Sequence, residues 1–345
     1  MLAHRRSAGL EFGARCHYHG GPETAATEEL RAHTTTLDNG IVAIDTEYVR
    51  PSLDASHLII EQGRAAFVDT GVNSSVPLLL SALEQQGLDV ADVDYVFVTH
   101  VHLDHAGGAG VLMQHLPNAR CVVHPRGAPH LVDPARLIAG VEAVYGKETT
   151  QRIHGNIRPI DANRIDVPDD GAWFELAGRE LQTFFTEGHA RHHYCLHDPA
   201  SKGVFTGDSF GISYRELDTA AGEFIFPTTT PVQFDPPEAH KTVERILEKQ
   251  PEQLYLTHYS RVRNLDRLGT DMHEGIDAYV TMAKMHAGDA NRTENLQAAM
   301  FDYFVERLQR HGYTGDRDMM WSILQLDIDL NTQGLEVWLD RRQRS

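Results

Sequence analysis

The run His100-Val101-His102-Leu103-Asp104-His105 sets four metal-ligating side chains inside six residues. Neutral imidazole is a good donor to zinc and iron, and carboxylate adds the negative charge that divalent ions require. His100 and His102 stand where an apolar strand opens into a loop. Asp104 and His105 follow at once, so a single loop can serve two metals. Three more candidates come later, and each closes its own apolar run. His189 follows Phe184-Phe185-Thr186-Glu187-Gly188, Asp208 follows Val204-Phe205-Thr206-Gly207, and His258 follows Leu254-Tyr255-Leu256-Thr257. A lone His-x-His would be weak evidence, because surface histidines are common. Four strand ends carrying seven ligand types together predict a metal site.

Those ligands need a scaffold that brings strand ends together. Sites in open α/β layers gather at the carboxyl ends of strands. Strand patterns run over 41–44, 57–61, 63–69, 94–99, 119–124, 172–176, 180–185, 203–206 and 253–257. Helical spacing covers 76–86, with Gly87 as its stop, and recurs around 134–145 and over 237–249. Strands alternating with helices predict an α/β sandwich. From about Arg267 strand patterns nearly vanish, and helical spacing occupies 276–285, 292–310 and 318–326. The expected organisation is an N-terminal arm over 1–35, an α/β domain over 36–266 and a helical C-terminal module over 267–345. No repeat of short fixed period is visible. Cys16-His17-Tyr18-His19 in the arm reads as a loop.

Composition narrows the function classes. The chain has 345 residues, with 31 Lys and Arg against 49 Asp and Glu, a formal net charge of −18. Such a chain repels phosphate backbones and anionic lipid, so no nucleic-acid or membrane partner is expected. No run approaches the roughly 20 apolar residues of a membrane span. The start, Met1-Leu2-Ala3-His4-Arg5-Arg6, turns polar without a hydrophobic leader core. Cys16, Cys121 and Cys195 have no paired spacing, which argues against a disulfide framework or a thiolate zinc site. A cytoplasmic protein is the expectation.

At this point a family resemblance is plain. Asp69-Thr70-Gly71, Thr99 to His105 with Ala106-Gly107-Gly108, Gly188-His189, Thr206-Gly207-Asp208 and Thr257-His258 resemble the motifs of the metallo-β-lactamase-fold superfamily, the αββα metallohydrolases. They span about residues 41–263, so the C-terminal helices are an extension of the common fold. The resemblance implies one metal held by His100, His102 and His189, and a second by Asp104, His105 and His258. It implies that Asp208 bridges them together with a water or hydroxide. Two divalent ions are the implied cofactors: zinc first, with iron or manganese open. Asp104 or Asp208 would carry a proton toward the leaving group.

The departures matter too. The main zinc β-lactamases place Cys where this chain has Asp208 and usually lack a histidine ligand at His105, so antibiotic hydrolysis is not expected. Many relatives read Thr-Pro-Gly-His-x-x-Gly-His around the third ligand, and here the segment is Thr186-Glu187-Gly188-His189-Ala190-Arg191-His192-His193. His193 falls at the supporting histidine, and His192 replaces the glycine. Oxygen-reducing di-iron relatives commonly carry Glu where this chain has His102. Asp69 is expected to support a ligand from behind, a role compatible with a simple capped turn at Gly71. Tyr259 and Tyr214 are candidates for substrate contact, as is Arg215. A packed loop tyrosine and a surface arginine are the plainer reading of the latter two. His115, His124, His130 and His154 have no ligand frame and read as structural or solvated.

The expected function is hydrolysis of an ester, thioester or lactone in a small molecule by a metal-bridging hydroxide. Two alternatives stand beside it: a di-iron oxygen-binding or redox protein of the same fold, and a non-catalytic sensor that retains the metal site. A homodimer through the C-terminal helices is a further expectation.

Overall fold

A computed structural model describes residues 31–229 and 233–344. Most of the expected N-terminal arm, with Cys16-His17-Tyr18-His19, lies outside the described residues. The first sheet has seven strands in chain order: β1 (Thr34–Thr36), β2 (Ile41–Asp45), β3 (Ala55–Glu61), β4 (Arg64–Val68), β5 (Val93–Val98), β6 (Arg120–Val123) and β7 (Ile165–Asp166). β1 to β4 pair antiparallel, and β4 to β7 pair parallel. The parallel crossovers are made by helices, as parallel pairing requires. They are α1 (Val76–Gln85) before β5, and α2 (Leu103–Ala106) with α3 (Ala109–His115) before β6. α4 (Ala128–Val132), α5 (Ala135–Tyr145) and α6 (Lys147–His154) lie between β6 and β7.

The second sheet holds β8 (Trp173–Leu176), β9 (Arg179–Phe185), β10 (Tyr194–Asp198), β11 (Gly203–Gly207), β12 (Gln253–Leu256) and β13 (Ser260–Val262). Its neighbours are antiparallel except for β11 with β12, which run parallel through the crossover helix α7 (Pro236–Leu247). The chain then ends in α8 (Leu265–His286), α9 (Arg292–Arg310) and α10 (Arg317–Arg344).

Strand periodicity decides the layers. Side chains alternate between faces, so in the central strands both alternating sets must be apolar when both faces are covered. Val42, Ile44, Phe67, Val96 and Val98 turn outward against Leu79 and Leu83 of α1 and Leu112 of α3. Their neighbours Ile41, Ala66, Val68 and Phe97 turn inward and meet Leu181, Tyr194, Leu196, Phe205 and Tyr255 of the second sheet. The outer face of that sheet, with Val204, Leu254 and Leu256, is covered by Val243 of α7, Leu268 of α8, Phe304 of α9 and Ile328 of α10. The result is an α/β sandwich with layers in the order helix, sheet, sheet, helix, extended by C-terminal helices. That is the architecture the resemblance implied.

The C-terminal helices thus share one apolar cluster with the second sheet. Among their large apolar side chains, Met285 and Met319 stay exposed. Among the described residues, no helix is long and apolar enough to cross a membrane.

Candidate metal centre

β5 ends at Val98, and Thr99-His100 leaves its carboxyl end. His102 then sits in extended conformation just before α2, whose first turn carries Asp104 and whose body carries His105. His189 stands in the loop between β9 and β10, Asp208 directly after β11, and His258 directly after β12. Four strands from two sheets therefore deliver seven side chains to one place. The described residues group them as His100, His102, His189 and Asp208, and as Asp104, His105 and His258.

Asp208 is where the two groups meet. Its Oδ2 is 3.4 Å from His189 Nε2 and 4.0 Å from His100 Nε2. Its Oδ1 is 3.1 Å from His105 Nε2 and 3.4 Å from His258 Nε2. One oxygen faces each group. Within the first group, His102 Nδ1 lies 2.9 Å from His100 Nε2 and 3.1 Å from His189 Nε2. In the second, Asp104 Oδ2 lies 3.7 Å from His105 Nε2 and 3.6 Å from His258 Nε2.

These residues fit divalent cations on their own geometry. His105 Nε2 and Asp208 Oδ1 are buried and close, yet neither makes an aligned hydrogen bond. Atoms that approach without pointing at each other are aimed at a common third partner. Imidazole nitrogens on one tetrahedral zinc would stand about 3.3 Å apart, near the spacings of the first group. The carboxylates of Asp54, Asp69, Asp104 and Asp208 converge here, and four negative charges would balance two dications.

Burial pushes the pKa values of His100, His102 and His189 down, helped for the first two by neighbouring imidazoles and opposed at His189 chiefly by Asp208. All three are thereby kept in the neutral form that binds metal. Burial works against protonating His105 and His258 as well. There the carboxylates win: Asp208, Asp104 and Asp69 hold His105 well up, and Asp54 with Asp208 lifts His258 to about 10.

The supporting layer is built from short polar contacts. Asp69, at φ +58, accepts from Thr99 N–H at 2.8 Å, from the Thr99 and Thr257 hydroxyls at 2.9 and 2.8 Å, and from His105 Nδ1 at 2.8 Å. It thus holds the His105 ring from the side opposite Asp208. Thr70 braces the same loop, its N–H and hydroxyl both donating to His105 O. His193 Nδ1 meets the hydroxyls of Thr186 at 2.8 Å and Ser209 at 3.0 Å, and its Nε2 accepts from Asp208 N–H at 3.3 Å. It orients Asp208 through the backbone. Gly207 is required between them: at φ +49 an added Cβ would meet His193 Nε2 and Thr99 Oγ1, each at 2.6 Å. His192 is buried with its ring beside those of His100 and His102.

The tyrosines take different places. Tyr214 is buried and donates to Asp327 of α10 at 3.2 Å, and burial with the Asp327 charge pushes its hydroxyl pKa well up. Arg215 is tied to Ser213 and to Asp218. Tyr259 is partly buried, and its hydroxyl pKa is raised by burial and by Asp45.

Three contributors were not anticipated. Asp54 is fully buried with Oδ1 2.7 Å from His258 Nδ1, a charge beside the ring, while Nδ1 itself donates to Leu53 O at 3.2 Å. Nothing in Ser52-Leu53-Asp54 marks it. Thr99 and Thr257 were legible: each precedes a ligand in the same Thr-His dipeptide. His154 is buried, stacks on Tyr48 and feels the Asp104 charge. His124 is buried in contact with Phe185.

Two stacked sheets lie between helix layers, with five histidines and two aspartates converging at their strand ends as two groups of candidate metal ligands. The model of the metallo-beta-lactamase superfamily matches residues 51–258, and the chain belongs to that superfamily. A metallo-beta-lactamase fold-containing protein of Sulfurisphaera tokodaii is 24% identical over 212 residues, 60% of this chain and 73% of that one. A hydroxyacylglutathione hydrolase of Salmonella paratyphi A is 27% identical over 149 residues, 43% of each chain. The chain thus matches less than half the length of that hydrolase. Among solved structures, a metallo-beta-lactamase family protein of Thermus thermophilus superposes with a TM-score of 0.60 at 17% identity, covering 84% of this chain and 89% of that one. At that identity the likeness is one of fold.

Proposed function

We propose that this protein is a dinuclear-metal hydrolase acting on an ester, thioester or lactone of a small molecule. The observation that carries the reading is Asp208, whose two carboxylate oxygens face the two ligand groups separately. His100, His102 and His189 would hold one cation, Asp104, His105 and His258 the other, and Asp208 would join them. Two cations there would lower the pKa of a shared water toward neutrality and stabilise developing oxyanion charge.

The chain's own residues do the rest. Asp69 accepts from Nδ1 of His105 and Leu53 O accepts from Nδ1 of His258 at 3.2 Å, which fixes each tautomer and leaves Nε2 directed inward, with the Asp54 carboxylate close beside the His258 ring. Half-buried Asp104 is the carboxylate best placed to hand a proton to a leaving group, with Asp208 as the alternative carrier. A superfamily relative named hydroxyacylglutathione hydrolase supports acyl hydrolysis, and the acidic charge disfavours polynucleotides. Assembly as a homodimer through the C-terminal helices belongs to the same proposal and is read by light scattering.

The test is elemental analysis of tag-free protein purified without added metal, followed by a lactone, thioester and phosphodiester panel. About two zinc ions per chain with carbonyl turnover is the expected result. Two irons with oxygen uptake and no hydrolysis would replace it with redox chemistry. Protein that binds no zinc, iron or manganese would overturn the site itself.

A further inference from the structure

A cleft of about 560 Å³ opens where the start of α7, the middle of α8 and the end of α10 meet. Its size falls within the range of small-molecule sites, roughly 300–1,000 Å³. Its charge runs against the rest of the chain. Cations are outnumbered 31 to 49, and most of the described arginines outside the cleft are matched to acids, as in Arg64–Asp94, Arg120–Asp166 and Arg245–Asp170. Here Arg191, Lys284 and Arg341 line one concavity, and among the described residues none has a carboxylate within ion-pair distance. The acids of the same cleft are engaged: Asp277 with His240 at 3.2 Å, and Asp235 as the cap that accepts from Glu238 N–H.

The floor is apolar. Trp338 is only 9% exposed, with Val280 and Phe234 beside it. Arg342 lies over the Trp338 ring, 5.1 Å from its centroid. Unmatched cations around a concave wall focus a positive potential that draws an anion. A bare inorganic anion would leave the Trp338 floor wet, and a neutral aromatic would leave the cations unmatched. The cleft fits both features in one molecule.

One wall of the cleft is also tied to the segment that carries His189. Arg191 is two residues past His189, and its N–H donates to Gln233 Oε1 at 2.7 Å. Asp235 N–H donates to Gly188 O at 3.0 Å. The segment that positions a metal ligand is thus one wall of the cleft.

We propose that this cleft anchors an organic anion with an apolar or aromatic body, namely the end of the substrate away from the bond that is broken. The binding site stands on the cleft alone, and only its assignment to substrate rests on the hydrolase reading.

The probe is 2-naphthalenesulfonate, which carries an aromatic body and a fixed negative charge but no hydrolysable bond. Calorimetry on the metal-loaded full chain should show saturable one-to-one binding. Affinity should exceed that of 2-naphthol or inorganic sulfate at least tenfold and fall as salt rises. Lys284→Ala with Arg341→Ala, both exposed positions, should weaken it about tenfold, and Lys284→Glu should weaken it similarly without touching the apolar floor. Absence of saturable binding, or affinity unchanged in both variants, overturns the proposal. In the hydrolysis panel, the double variant should raise KM more for esters with an anionic aromatic end than for neutral esters. Sulfonate binding without any turnover would sink the substrate assignment and leave the site. Turnover of anionic esters without sulfonate binding would sink the site and leave the hydrolase reading.

Discussion

Asp69 Oδ2 stands 2.8 Å from His105 Nδ1, and the ring's other nitrogen is thereby turned toward Asp208. The same carboxylate holds the hydroxyls of Thr99 on the first sheet and Thr257 on the second. Asp69 therefore ties both sheets to one ligand. Asp69→Asn puts an NH2 among groups that are all donors, so at least one hydrogen bond is lost and the ring is freed. Supporting groups of this kind are worth roughly 10–100-fold in metal affinity. The variant should bind one zinc nearly as wild type and the other that much more weakly by equilibrium dialysis. Two undisturbed binding steps would remove Asp69 from its supporting role.

Asp208 and His102 make a discriminating pair. His102 touches only the first group, through His100 and His189, whereas Asp208 faces both. His102→Ala should retain about one metal per chain with activity lost. Asp208→Ala should weaken both sites and leave the His105 and His258 imidazoles without their shared counter-charge. If the two variants retain identical metal content, the bridging assignment of Asp208 is wrong.

The grouping of the candidate ligands was legible because the segments that carry them follow four apolar strands, and chemistry at strand ends is a property of layered α/β folds. What escaped was long-range. Asp54 gains its role only when β3 is laid beside the end of β12, where Ala55 N–H donates to Thr257 O. β10 has no clear apolar pattern, because His197 and Asp198 fill two of its five positions, Tyr194 to Asp198. The helices of the tail extend beyond their sequence pattern at both ends. α8 begins at Leu265, but Gly269 and Gly275 dilute its apolar pattern, and they are there because Leu247 and Pro227 pack within 2.7 Å of where a Cβ would be. α10 runs past 326 on a buried face that is partly polar. Asp327 receives Tyr214, and Asn331 Oδ1 accepts Thr229 N–H at 2.6 Å. A helix whose inward face carries Asp and Asn does not announce itself by periodicity.

His57 makes the fold sensitive to acid. Its ring is buried against Phe205 and Tyr255, and burial pushes its pKa from 6.5 to about 4, with the Asp69 charge opposing in part. The unfolded chain therefore binds this proton more readily than the folded one. The sign follows: stability is fully present above pH 6.5 and is lost as pH falls toward 4, by up to about 3 kcal/mol. Urea midpoints at pH 7 and pH 5 should differ more for wild type than for His57→Gln. Parallel pH profiles would show that His57 is not the buried base.

Gly334 reports on how α10 seats against the loop that follows Asp208. A Cβ there would meet Thr229 O at 1.8 Å, in backbone that cannot move without breaking the Thr229–Asn331 hydrogen bonds. Gly334→Ala should therefore destabilise by about 1–3 kcal/mol, the range for overpacking a tight interior. It should also lift α10 enough to loosen the Tyr214–Asp327 contact one to two turns earlier on the same helix. Gly140→Ala is the internal control. It lies in α5 with nothing within 4 Å of an added Cβ, so it should be neutral or stabilise by about 0.4–1 kcal/mol through the unfolded chain. Denaturant midpoints at fixed pH compare the two. A Gly334 variant as stable as the Gly140 variant would mean that α10 does not press on residues 227–229, and that its hold on the loop beside the candidate centre is weaker than the packing implies.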